Sequence, residues 1–325
     1  MRLPDTPGKR WGLRRLADDG GRFRMVAVDQ RPPIMELARR ARGEAQARDD
    51  DVRSIKALLT ETLAPLASAM LLDPLWAYED SIRHVSPRQG LIVTLEDHRF
   101  ETVAGGRLSR RIEGWSPGRI RRIGADAVKA LAWYHPGAAP EVRRAQQDWV
   151  AAIGDECRRH DIVFLFELLL YPLGDAAHGY VESPGKQAAL VLESVADFAD
   201  PRFGVDVFKL ESPMPAASLP PQDHAGAAHA RAAFAALHAA VGRPWVMLSA
   251  GASPEQFERV LGYALEAGAG GFLAGRAIWA QALAAFPDLA AARTGLATQA
   301  VQWLSRFNAL TAARARPLDA ARLLD

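Results

Sequence analysis

The chain has 325 residues, of which 49% are hydrophobic and 24% charged, and its formal net charge is +2. That is the balance of a soluble globular protein, and a charge so small gives no reason to expect nucleic acid or an acidic membrane as partner. The most apolar run, residues 162–173, is too short to cross a bilayer and contains Glu167. Met1 to Arg15 lacks the apolar core of a secretory signal, and the lone cysteine, Cys157, rules out an internal disulfide. Both readings fit a reducing cytoplasm. Cys157 falls in a helical pattern over 141–160 and reads as a packing residue. The eight histidines form no H-x-H or H-E-x-x-H pair, and His224, His229 and His238 fall in an alanine-rich helix, so no metal is expected.

In chain order, the N-terminal segment is locally basic (Lys9, Arg10, Arg14, Arg15, Arg22, Arg24) but interrupted by Asp5, Asp18 and Asp19, which predicts a solvated helical face. Eight short apolar runs then alternate with helical patterns: 24–28, 69–73, 91–95, 127–132, 162–168, 205–210, 245–249 and 271–274. Eight strands with crossover helices predict one (β/α)8 TIM barrel over residues 1–325, with extra C-terminal helices. Helix starts are marked by Ser116-Pro117, by Ser183-Pro184 and by the capping box Ser253-Pro-Glu-Gln256. The proline-rich stretch 212–223 reads as a long loop after the sixth strand, not a linker. The tail 289–324 is periodic and helical, packing outside the barrel or against another subunit; a homo-oligomer is expected.

Chemistry in such a barrel gathers at the C-terminal strand ends. The first strand ends in Asp29-Gln30-Arg31, the third in Glu96-Asp97, and the fifth meets Glu167. The fourth and sixth carry Lys129 and Lys209, two of only five lysines in a chain with forty basic residues. Arginine keeps its proton, whereas a buried lysine can be neutral, and a neutral amine attacks a carbonyl carbon. Lysines kept in strands of an arginine-rich chain therefore point to a nucleophile. The bland alternative, an ion pair of Lys129 with Glu167 or Asp29, leaves Lys209 unexplained. Alternation puts Val205, Val207, Lys209 and Glu211 on one face. The last two strand ends, Ser249-Ala-Gly251 and Gly275-Arg276, offer accessible backbone N–H groups and a guanidinium where many barrels hold a phosphate.

Between about Arg24 and Trp279 the chain resembles the tagatose 1,6-bisphosphate aldolase family of class I (Schiff-base) aldolases, with its sulfofructose-1-phosphate aldolase relatives. The resemblance rests on Val26-Ala-Val-Asp-Gln-Arg31, Glu113-Gly-Trp-Ser116, Gly124-Ala-Asp-Ala-Val-Lys129, Phe166-Glu167, Val205-Asp-Val-Phe-Lys-Leu-Glu211, Leu248-Ser-Ala-Gly251 and Gly275-Arg276. It implies that Lys209 forms the imine and Glu167 moves protons. It further implies that Lys129, Asp29, Gln30 and Arg31 contact the substrate, and that Ser249, Gly251, Gly275 and Arg276 hold a phosphate. The implied reaction cleaves a ketose 1-phosphate or 1,6-bisphosphate to dihydroxyacetone phosphate and an aldehyde, with no cofactor, because the imine is the electron sink. One alternative keeps the mechanism and puts a sulfonate at the substrate's far end, on Arg31. Another is a sugar-phosphate-binding regulator without turnover, against which the Lys209–Glu167 pair argues.

Overall fold

The computed structural model describes residues 4, 6–174 and 187–319. Among the described residues there are ten strands: β1 (Phe23–Ala27), β2 (Ala69–Leu72), β3 (Gly90–Thr94), β4 (Glu101–Val103), β5 (Gly106–Leu108), β6 (Ala127–Tyr134), β7 (Val163–Leu170), β8 (Val207–Leu210), β9 (Trp245–Met247) and β10 (Gly271–Ala274). Eight of them close a barrel in the order β1-β10-β9-β8-β7-β6-β3-β2, every neighbouring pair parallel. These eight are the strands predicted, with ends shifted by a few residues. β6 and β7 run two residues further than their apolar runs suggested, to Tyr134 and Leu170.

The small antiparallel hairpin β4–β5 was not foreseen. Its residues carry no apolar alternation, and Glu101 and Thr102 are exposed; what makes the hairpin is the turn, where Gly105 has φ +82°.

Period-two alternation builds the interior. Phe23, Met25 and Ala27 of β1 share a buried cluster with Ala69, Leu71, Ile92, Ala127, Val163, Leu165, Val207, Val246 and Leu273. A larger cluster of side chains lies between the barrel and its helices, with Phe166, Phe198, Phe203 and Phe208 among them. Beneath the barrel, helix Pro7–Leu16 adds Leu13 and Leu16 to the inner cluster. Its basic face is only partly solvated: Arg14 is exposed as predicted, but Lys9 and Arg15 turn inward. Lys9 is buried and ion-paired with Asp206 at 2.7 Å, and Arg15 meets Asp126 at 2.7 Å. Two carboxylates at the bottom of the barrel needed cations, and the helix supplies them.

Helix starts follow their signals. Ser253 and Gln256 make both arms of the capping box, and Ser116 accepts from the Arg119 N–H. Ser183-Pro184 lies outside the described residues. Cys157 is buried in helix Pro140–Arg159, where burial pushes its thiol pKa up. His229 and His238 lie on helix Ala227–Val241, whereas His224 precedes it. The C-terminal helix Val301–Arg314 packs outside the barrel, with Phe307 against Phe257 and Phe272. Among the described residues no helix is long and apolar enough to cross a membrane.

Candidate active site

The alternation that fills the interior continues upward and changes character. Two residues beyond Ala27 comes Asp29; beyond Ala127, Lys129; beyond Leu165, Glu167; beyond Val207, Lys209. β3 steps from Ile92 through Thr94 to Glu96. One polar layer therefore rests on an apolar one, at the C-terminal mouth, because each strand keeps its inward face as its residue types switch. The β7–β8 register sets Glu167 beside Lys209, and the β6–β7 register sets Lys129 beside Leu165, one pleat below.

Glu167 lies between the two amines. Its carboxylate is 2.7 Å from Nζ of Lys129 and 3.0 Å from Nζ of Lys209. Lys129 also meets Asp29 at 3.0 Å and Glu96 at 2.6 Å, so three carboxylates surround one ammonium. Glu96 is itself held from several sides. The Thr94 hydroxyl donates to its Oε2 at 2.6 Å and the Leu131 N–H at 3.2 Å, while Arg31 donates to its backbone oxygen at 2.8 Å and to Oε1 at 3.1 Å.

Burial opposes charge on Asp29, Lys129 and Glu167, and their partners overcome it. Burial works to lower the Lys129 pKa, but Asp29, Glu167 and Glu96 raise it well above the ordinary lysine value. Burial works to raise Asp29, but Lys129, Lys209 and Arg31 hold its carboxyl far below the usual range. Glu167 is lowered in the same way, by Lys129 and then Lys209. Lys129 is thus a fixed cation. Lys209 has one carboxylate partner and faces the cleft.

Asp29, Gln30, Arg31, Lys129, Glu167, Lys209 and Arg276 line a common cleft, as the sequence predicted. Gly251, at φ +84°, lies under Arg276: a Cβ there would come within 3.1 Å of the guanidinium Nη1. Gly275 is equally constrained, since its Cβ would meet the Ala27 carbonyl and the Gln30 amide at 2.6 Å. Ser249 is buried and its carbonyl accepts the Ala252 N–H at 2.8 Å. Among the described residues no hydrogen bond or ion pair engages the Arg276 side chain. Arg31 lines the cleft, is buried, and also pairs with Glu96 at 3.1 Å, a contact the sequence did not predict.

Sequence reasoning missed three contributors. Glu96 stands just past the end of the third barrel strand, and its Thr-x-Glu step along the inward face was the available signal. Lys56, on helix Asp49–Leu63, is wholly buried, pairs with Asp73 at 2.6 Å, and donates to the carbonyls of Val28 at 2.6 Å and Gln30 at 2.8 Å. It pins the turn that carries Asp29, and lysine scarcity applied to helices would have flagged it. His98 also lines the cleft, with Leu131 and Leu169.

A barrel whose mouth gathers buried amines around carboxylates, with a free guanidinium beside them, has the architecture of an aldolase. A family model described as DeoC/LacD family aldolase matches residues 23–281. The chain is 31% identical to tagatose 1,6-diphosphate aldolase 2 of Streptococcus agalactiae, over 93% of this chain and 95% of that one. It is 32% identical to tagatose 1,6-diphosphate aldolase 1 of Streptococcus mutans, over 95% and 97%. Fructose-bisphosphate aldolase from Plasmodium falciparum shares the fold, with a TM-score of 0.66 over 97% of both chains at 14% identity. The chain belongs to the DeoC/LacD family of aldolases, and is a lyase.

Proposed function

We propose that the protein is a class I aldolase in which Lys209 forms a Schiff base with a ketose 1-phosphate or 1,6-bisphosphate, releasing dihydroxyacetone phosphate and an aldehyde. The observation that carries this reading is the unequal treatment of the two amines. Lys129 is locked as a cation by three carboxylates, whereas Lys209 has Glu167 alone, 3.0 Å away, to take its proton.

The neutral Lys209 amine adds to the C2 carbonyl, and the carbinolamine loses water with a proton from Glu167. As the Glu167 carboxylate takes the proton of the C4 hydroxyl, the C3–C4 electron pair flows to the iminium nitrogen, the aldehyde leaves, and an enamine remains, with the proton on Glu167 available for C3. Protonation at C3 and hydrolysis return dihydroxyacetone phosphate and free Lys209. The Lys129 ammonium lies 2.7 Å from Glu167 and is suited to the charge and hydroxyls of the bound sugar. Arg276, with the turn at Ser249–Gly251 and Gly275, is assigned the C1 phosphate. The tagatose substrates named for the streptococcal relatives support a ketose phosphate.

Incubation with dihydroxyacetone phosphate and borohydride is expected to leave a three-carbon phosphate adduct on the peptide containing Lys209. An adduct on Lys129 would exchange the two roles, and no adduct would remove the imine mechanism.

A further inference from the structure

The ladder that joins β1 to β10 runs from Phe23–Gly271 to Val26–Ala274 and stops there. One residue further on, the Ala27 carbonyl accepts a hydrogen bond from the indole Nε1 of Trp279 at 3.1 Å, and both residues are buried. Trp279 closes the single helical turn Arg276–Trp279, which begins with the guanidinium assigned to the phosphate. A helix so short has little stability of its own. Its backbone bonds are local: the Gly275 carbonyl accepts from the Ile278 and Trp279 N–H groups at 2.7 and 3.2 Å, and the Arg276 carbonyl from Ala280 at 2.9 Å. They shape the turn without fixing it to the barrel. The buried Ala277 and Ile278 side chains add packing, which is non-directional. The indole bond is a directional tie to β1, and Gly275 permits it by leaving the Ala27 carbonyl room to approach.

We propose that Trp279 is a positioning residue for Arg276: its indole N–H, held by the Ala27 carbonyl, sets the guanidinium where it grips the phosphate of a substrate whose carbonyl stands at Lys209. This rests on the aldolase reading of the same site and adds a residue outside the cleft lining. Arg276 depends on such placement. Gly251 lies under its guanidinium, and the side chain has no described hydrogen bond or ion pair, so the position of its backbone decides where the charge sits. The tie also reaches the chemical half of the site, because Ala27 stands two residues before Asp29, which pairs with Lys129 at 3.0 Å. From the other side, Lys56 holds the neighbouring carbonyls of Val28 and Gln30 at 2.6 and 2.8 Å. The end of β1 is thus clamped between an ammonium and an indole, and the indole carries the phosphate grip with it. Without that N–H the buried Ala27 carbonyl loses its donor and the turn is free to shift, which misaligns a charge-assisted contact that depends on geometry.

The test separates the grip from the chemistry by comparing one ketone with and without its phosphate. Borohydride inactivation is timed with dihydroxyacetone phosphate and with dihydroxyacetone, both below saturation, and the ratio of the two rate constants measures what the phosphate contributes. Two replacements are used: Trp279→Phe, and benzothienylalanine in place of Trp279, which keeps the ring's shape and lacks only the N–H. In both we expect the ratio to fall by about fivefold or more, with the dihydroxyacetone rate unchanged within about twofold. Ile278→Ala loosens the packing of the same turn but keeps the indole bond, and should hold the ratio within about twofold of the wild type. A ratio preserved in the benzothienylalanine protein, or lost equally in Ile278→Ala, overturns the proposal. Calorimetry with glycerol 1-phosphate, which has no carbonyl, reads the grip without any imine. Binding weaker by about fivefold or more in the Trp279 replacements supports the proposal, and equal binding overturns it. A wild-type protein without an adduct on Lys209 would remove the imine mechanism while the calorimetry still decides the part of Trp279, so the two readings fail separately.

Discussion

Four of the five lysines fall among the described residues, and all four are buried, yet their surroundings divide their roles. Lys9 and Lys56 each neutralise one aspartate, Lys129 satisfies three carboxylates, and Lys209 shares one and lines the cleft. Scarce lysine therefore marked burial, and only the cleft separates the structural residues from the chemical ones. Glu167→Gln keeps the shape but removes the proton acceptor beside Lys209, and kcat should fall by about 10²- to 10⁴-fold, the usual worth of a positioned acid/base. Steady-state kinetics check this, and a fall in KM alone would contradict it. Lys56→Met leaves Asp73 charged and buried, which should cost about 3–5 kcal/mol of stability in urea unfolding. Adding Asp73→Asn should recover most of that stability. Without the ammonium that binds the Val28 and Gln30 carbonyls, kcat should remain depressed, whereas recovery of both would limit Lys56 to a structural part.

At the scale of elements, legibility followed the strength of alternation. The eight barrel strands were readable because each is an apolar run bounded by turn residues, and the site was readable because polar residues interrupt those runs at one end. The cap signals were readable because they are local. What escaped depends on pairing across the chain: Arg31 with Glu96, Lys56 with Asp73, and Lys9 with Asp206 join residues 65, 17 and 197 positions apart. No periodicity encodes such a partnership, so the Glu96 contact of Arg31 is not legible in the sequence and Lys9 reads like a solvated charge. The helix Pro7–Leu16 offers a test of its own. Asp206→Ala strands the Lys9 ammonium beneath the barrel and should cost about 3–5 kcal/mol, read as a lower urea midpoint. Activity per folded molecule should stay unchanged, because the pair lies at the end of the barrel away from Lys209.

For the molecule as a whole, the polar layer couples stability to pH. The folded pKa of Asp29 lies below its unfolded value of about 3.8, so its contribution is complete well above that pH and is lost as pH falls through the folded value. Lys129 is shifted upward from about 10.5, so its contribution is complete below that pH and is lost as pH rises further. Between about pH 5 and 9 both act in full. Urea midpoints measured from pH 7 to pH 2.5 should fall less steeply for Asp29→Asn than for the wild type, and parallel curves would deny Asp29 its part in acid unfolding. Barrel closure has a further consequence, one of timing. β1 pairs with β10, Phe23 opposite Gly271, so the first barrel strand to leave the ribosome stays without one neighbour until the last has been translated. Through that interval Leu13 and Leu16 lack the floor they are built to close, and a nascent chain stalled before residue 271 should be held by chaperones, which a translation-arrest series would reveal.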